Sequence, residues 1–124
     1  KDTAAGHMGI EILEIEQGYA QLTMKVAEWM VQGHGVCHGG FLFTLADTAM
    51  AYASNSYGEA HVALSASLDF LRPANEGDVL IAEAIEKNRT RATGFYCVSV
   101  INQEQKLVGE FRGRTYGLSS KAPN

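Results

Sequence analysis

Asp47 is the one formally charged side chain between Trp29 and Gly58, in the stretch WMVQGHGVCHGGFLFTLADTAMAYASNSYG. A carboxylate costs several kcal/mol to bury alone. One set in the middle of an apolar run therefore has either a set of hydrogen bonds or a chemical task. The task would be attack on an acyl carbon, or activation of a water that attacks it. Upstream lie Gly33, Gly35, Gly39 and Gly40. Glycines let backbone come close to other groups. The start of a helix presents unpaired N–H groups and a positive dipole end, where an oxygen gaining negative charge is stabilised. The plainer alternatives are a hydrogen-bonded core aspartate and glycines that only let a loop pack tightly. His34 and His38 are four apart, a metal-ligand spacing when on a helix. His34 sits among glycines with no evident third ligand, which argues against a metal. Cys37 has no evident basic partner beyond His38 and makes a poor nucleophile.

These groups need positioning elements. Leu42, Leu45, Ala46, Ala49 and Ala53 recur at helical spacing, and Phe41, Phe43, Met50 and Tyr52 fill much of the rest of the circumference. This predicts a helix from Cys37 or His38 to about Ser54, wrapped by other elements. It is too short, and interrupted by Asp47, to span a membrane. Residues 9 to 16 alternate with a phase slip at Ile12–Leu13, which reads as a strand with a bulge. Residues 19 to 26 alternate well, with Ala20, Leu22, Met24 and Val26 on one face, completing a hairpin. After the helix, strands are expected at 61–71, 78–87, 93–101 and 107–116. On the first, Val62, Leu64, Ala66, Leu68 and Phe70 share a face against Ala63, Ser65, Ser67 and Asp69. Strand, strand, helix and four strands describe an α+β layer architecture. An open edge strand is a liability that pairing between subunits relieves.

The chain has 124 residues, which suits one domain, with residues 1–8 as a short N-terminal helix or a loose arm and 117–124 as a loose end. Its net charge of −4 argues against general nucleic-acid binding. Residues 1–71 hold two basic against eight acidic groups, and 72–124 hold eight against six. The basic second half suits either a polyanionic small molecule or solvated sheet edges. Two cysteines without a CxxC spacing, and no secretory leader pattern, point to a cytoplasmic protein with reduced thiols.

With QGHGVCHGGFLFTLADTAMAYASN at 32–55, HGG at 38–40, LADTA at 45–49, FLRP at 70–73 with Gly77 beyond, and GEFRGRT at 109–115, the chain resembles the hotdog-fold acyl-CoA thioesterases. The closest branch is the phenylacetic-acid-degradation thioesterase subfamily. The resemblance implies an antiparallel sheet of five to six strands wrapped around one long central helix. It implies hydrolysis of aryl-acyl-CoA, with phenylacetyl-CoA or ring-hydroxylated phenylacetyl-CoA favoured, and no cofactor.

By the same resemblance, Asp47 is the nucleophile or general base and the Gly39 amide is the oxyanion donor. Gln32 would hold the attacking water or orient the carbonyl, and stands where this branch usually has Asn. His38 would hydrogen-bond near the thioester sulfur, unless it is structural. Ser65 is at a position that faces the site in relatives, and otherwise reads as a solvent-side serine. Arg72 and Pro73, with the turn Thr90, Arg91, Ala92, Thr93 and Gly94, would bind the pantetheine and nucleotide. Phe41, Leu42, Met50 and Trp29 would line the acyl pocket. Gly39 and Asp47 are separated by about 12 Å along one helix at 1.5 Å per residue. They cannot easily meet one carbonyl from the same chain, so a homodimer with composite sites is expected, and tetramers are common in this branch. Two alternatives stay open: a non-catalytic acyl-CoA-binding module indifferent to Asp47, and a dehydratase, against which the absence of a histidine following Asp47 argues.

Overall fold

The computed structural model describes residues 2–121, with side chains up to Leu118. Six antiparallel strands form one sheet in the order β1-β2-β4-β5-β6-β3, where β1 is Glu11–Glu16, β2 Tyr19–Lys25, β3 Glu59–Phe70, β4 Val79–Arg89, β5 Thr93–Ile101 and β6 Leu107–Lys121. The long helix α2 (Gly39–Ser54) lies across one face and touches every strand. A short helix α1 (Thr3–His7) precedes β1. The expected hotdog layer of sheet and central helix is what the chain forms.

The alternation read in the sequence is the alternation that packs. Ala20, Leu22, Met24 and Val26 point at the helix, with Leu80, Ala82 and Ala84 on β4 and Tyr96, Val98 and Val100 on β5. Leu42, Leu45, Ala46, Ala49 and Ala53 meet them from α2. Three alanines in that stripe leave little side chain between helix and sheet, so the two layers sit close. The bulge expected at Ile12–Leu13 falls between Ile12 and Glu14.

Of the two readings of the N-terminus the helical one holds: residues 3–7 are helical, Asp2 Oδ1 accepts a hydrogen bond from the Ala5 N–H at 3.0 Å, and Ala5 and Met8 are buried. Three expectations need correction. Strand β6 runs on to Lys121, paired with β3 at Glu59; Lys1 and residues 122–124 lie outside the described residues. Helix α2 is covered on one side only, since Gly40, Phe43 and Ala51 are exposed and Thr44 and Asp47 half-buried. The third concerns β3. A register shift between Ala63 and Ser65 reverses its alternation. Beyond the shift Ala66, Leu68 and Phe70 stand opposite Gly113, Phe111 and Gly109, whereas Val62 before it stands opposite Tyr116. The predicted single apolar face is therefore split, and His61, before the shift, is buried.

Candidate active site

Loop 30–38 is tied on three sides. The Cys37 N–H donates to the Ala74 carbonyl at 2.8 Å, the His38 N–H to Met30 at 2.8 Å, and the Gln32 N–H to Val36 at 2.9 Å. Gly35 and His34 both take φ of 74°, a left-handed turn that glycine accepts readily and histidine does not. His34 belongs to that turn and shares no helical face with His38. His38 is the N-cap of α2 but its side chain makes no capping hydrogen bond. The Phe41 N–H reaches back to the His38 carbonyl at 3.1 Å. The Gly39 and Gly40 amides carry none of these bonds and open the helix as free donors.

Gly39 borders a cavity of about 430 Å³ lined also by Gln32, Cys37, Leu42, Phe70, Arg72 and Pro73. Any side chain at Gly39 would have to displace the Phe70 ring. A Cβ at that position would lie 2.6 Å from Cζ and 2.7 Å from Cε1 of Phe70. Burial pushes the Cys37 thiol up to about 11, so it stays protonated at neutral pH and is no nucleophile. Arg72 donates from Nη1 to the Leu107 carbonyl at 3.1 Å, which fixes its guanidinium at the cavity's edge. Of the acyl-pocket residues expected, Leu42 lines the cavity. Met50 does not: it is buried against Gly113 in the core. Trp29 and Phe41 stack edge to face at 5.3 Å outside it.

Asp47 lies two turns further along α2, on its uncovered side. Burial raises the carboxyl above its usual 3.8, and the like charge of Asp2 at the start of α1 raises it further. A consequence follows for any reaction that needs the ionised form. Asp2→Asn keeps the α1 cap but removes the repulsion. The acid limb of the activity–pH profile is then expected to move to lower pH, with the plateau unchanged.

The structure does not bring the remaining expected residues to this cavity. Ser65 pairs with Arg114 and lines a separate depression with Ser67, Phe95, Arg112 and Arg114, at strand positions alternating with the helix-facing Phe111, Gly113 and Thr115. The Thr90–Gly94 turn is closed by Thr90 Oγ1, which accepts from the Thr93 N–H at 3.0 Å. It is bound to β6 through the Gly117 N–H and the Ala92 carbonyl. Phe70 pairs with Gly109 on that same strand. Eight residues at about 3.3 Å each separate turn and cavity by roughly 26 Å.

One polar cluster was not read from the sequence. Arg89, 15% exposed, donates to the Ser54 carbonyl that ends α2 (3.2 Å), to Tyr96 Oη (3.1 Å), to His61 Nε2 (3.1 Å) and to Glu59 (3.4 Å). It also lies over the Tyr57 ring at 4.0 Å and within 3.5 Å of Glu86. A guanidinium only donates, so His61 Nε2 must accept and Nδ1–H donates to Thr115 Oγ1 at 2.9 Å. His61 is thereby held neutral, and its pKa is lowered below 6.5 by burial and then by Arg89, against smaller opposing effects of Glu59 and Glu86. A depressed histidine contributes stability that is complete above its unfolded value and lost as pH falls through its folded value. Thermal unfolding from pH 8 to pH 5 is expected to show an acid loss that is reduced in His61→Asn. The arginine itself was visible in the sequence. Its partners were not, because they come from α2, β3, β4 and β5 and from the phase reversal in β3.

Comparison with known proteins places this geometry. The family model described as Thioesterase superfamily matches residues 34–109. The chain is 47% identical over 117 residues to the acyl-coenzyme A thioesterase PaaI of Escherichia coli K12, covering 94% of this chain and 84% of that protein. It superposes on the solved E. coli PaaI, from the phenylacetic acid degradation operon, with a TM-score of 0.97 at 44% identity, covering 99% of this chain and 89% of that one. A Streptococcus mutans protein solved with acetyl CoA bound has a TM-score of 0.87 at 26% identity, covering 92% of this chain and 91% of that one.

Proposed function

The chain belongs to the thioesterase superfamily, and we propose that, as an acyl-CoA thioesterase, it hydrolyses aryl-acyl-CoA esters to the free acid and CoA. Phenylacetyl-CoA and its ring-hydroxylated forms are the favoured substrates. The likeness to PaaI from the phenylacetic acid degradation operon supports that choice. The observation that carries the reaction is a free amide at the start of α2, in a cavity with Gln32, and a half-buried carboxylate on the open side of the same helix. The Gly39 N–H receives the carbonyl oxygen as it becomes an oxyanion. Asp47 delivers the oxygen, its own or that of a water it deprotonates, and both routes need the carboxylate ionised. Gln32 orients the carbonyl or the water, and His38 stands beside the departing sulfur. Ser65, on β3, stands at the junction where the second chain's site would meet it.

Two chains build each site. Both β3 and the open side of α2 are uncovered in one chain, and Val62 and Leu64 are 47% and 53% exposed. Antiparallel pairing of β3 with its two-fold copy would set the Phe70 end of one strand beside the Glu59 end of the other. The cavity of one subunit then lies beside the Thr90–Gly94 turn of the next. The distance of roughly 26 Å between Arg72–Pro73 and the turn within one chain is resolved, and CoA runs across the junction. Exposed Ile12, Leu13 and Ile15 give such a dimer a further apolar surface for the expected tetramer. Free Cys37 and Cys97 fit a cytoplasmic setting.

Release of CoA thiol from phenylacetyl-CoA, with Asp47→Ala and Gly39→Pro chains unfolded and refolded together, tests this reading. Random pairing puts both lesions in one site and leaves the other intact in half the dimers, so about a quarter of native activity should return. A mixture no more active than its two parents would place each site within a single chain.

A further inference from the structure

We propose that Phe70 is the specificity-determining wall of the thioester site, its ring receiving the acyl group and holding the reacting carbonyl toward the Gly39 amide. This rests on the assignment of Gly39 and Asp47 above. Three observations carry it. The first is exposure. Phe70 is 60% exposed although it lies beyond the β3 phase shift, at a strand position directed to the helix side. A large aromatic surface left open over a cavity is a surface for an apolar occupant. The second is contact. The ring lies so close to Gly39 that a Cβ there would have to push it aside, so the ring borders the residue that opens the helix. The third is anchorage. The Leu71 and Arg72 N–H groups both donate to the Val108 carbonyl, at 2.9 and 3.3 Å, and the Arg72 side chain is bonded to the Leu107 carbonyl. The backbone that carries the ring is held, so the ring starts from a fixed point beside Gly39.

Such a wall acts on the acyl part of the substrate and on nothing further away. An aromatic acyl group would meet the Phe70 ring offset-stacked or edge to face, the arrangements aromatic pairs prefer. A two-carbon acyl group would be too short to gain from it. Removal of the ring should therefore change discrimination between esters, which a purely structural phenylalanine at the end of an edge strand would not do.

The test is kcat and KM for phenylacetyl-CoA, hexanoyl-CoA and acetyl-CoA with native protein, Phe70→Ala, Phe70→Leu, Phe70→Tyr and Asp47→Ala, with Tm and oligomer size recorded for each. Phe70→Ala should lose about tenfold or more in kcat/KM on phenylacetyl-CoA, mostly in kcat, and less than about twofold on acetyl-CoA. Phe70→Leu should restore hexanoyl-CoA turnover more than phenylacetyl-CoA turnover, and Phe70→Tyr should keep both. Equal losses on all three esters, or no loss on any, would overturn the assignment. Native turnover that survives in Asp47→Ala would overturn the catalytic reading instead, and the ratio between esters would still decide Phe70. No turnover of any ester by native protein would overturn both.

Discussion

Asp47→Ala should lower kcat for thioester hydrolysis by about 10³-fold or more while leaving the folded protein at least as stable. The rate loss is the size expected for removal of the group that supplies or activates the attacking oxygen, about 10² to 10⁴ for a positioned general base. Stability should not fall, because the carboxylate is held under unfavourable conditions. Burial raises its pKa and Asp2 raises it further. A carboxyl raised in the folded state costs stability wherever it is ionised, so its removal relieves that cost at neutral pH. Alanine is also the better helix former, by about 0.5 kcal/mol. Asp47→Asn should lose as much activity, since it keeps the shape and removes the charge. Thiol release at saturating substrate, with thermal unfolding in parallel, measures both. Activity within tenfold of native in either variant would remove Asp47 from the reaction.

Loss of the Gly39 N–H should cost about 10²- to 10³-fold in kcat, the usual worth of one oxyanion donor. A direct substitution confuses two effects, because a Cβ at this position would also push the Phe70 ring aside. In a Phe70→Ala background the collision is gone. Gly39→Ala then keeps the N–H and Gly39→Pro removes it. Proline is tolerated at the first position of a helix, and His38, at φ −61° and ψ 136°, already has the extended backbone that a following proline requires. The ratio of kcat between these two double variants, on a straight-chain ester, isolates the amide. Equal rates would mean that the oxyanion is stabilised elsewhere.

Much of this architecture is legible in one dimension because it is local. The strand alternation at Ala20–Val26 and the helical stripe from Leu42 to Ala53 are each set by which side chains must leave water, and both pack as read. The bulge near Ile12 shows as a slip in the same pattern. The isolation of Asp47 in an apolar run, and the glycines before it, single out the proposed site by composition alone, since a charge drawn from water is costly wherever it falls.

What the tertiary structure decided is what depends on neighbours distant in sequence. The β3 phase shift is defined only against its partner β6, and it is this shift that carries His61 inward to Arg89 and Thr115 and directs Phe70 to the helix side. The cluster around Arg89 draws on α2, β3, β4 and β5, and no spacing in the sequence encodes it. Which side of α2 stays uncovered was equally invisible, because a helix apolar nearly all round does not state how many of its faces the same chain can cover. Periodicity reports the side of each element that avoids water; register and packing partners, set by long-range pairing, determine what that side meets.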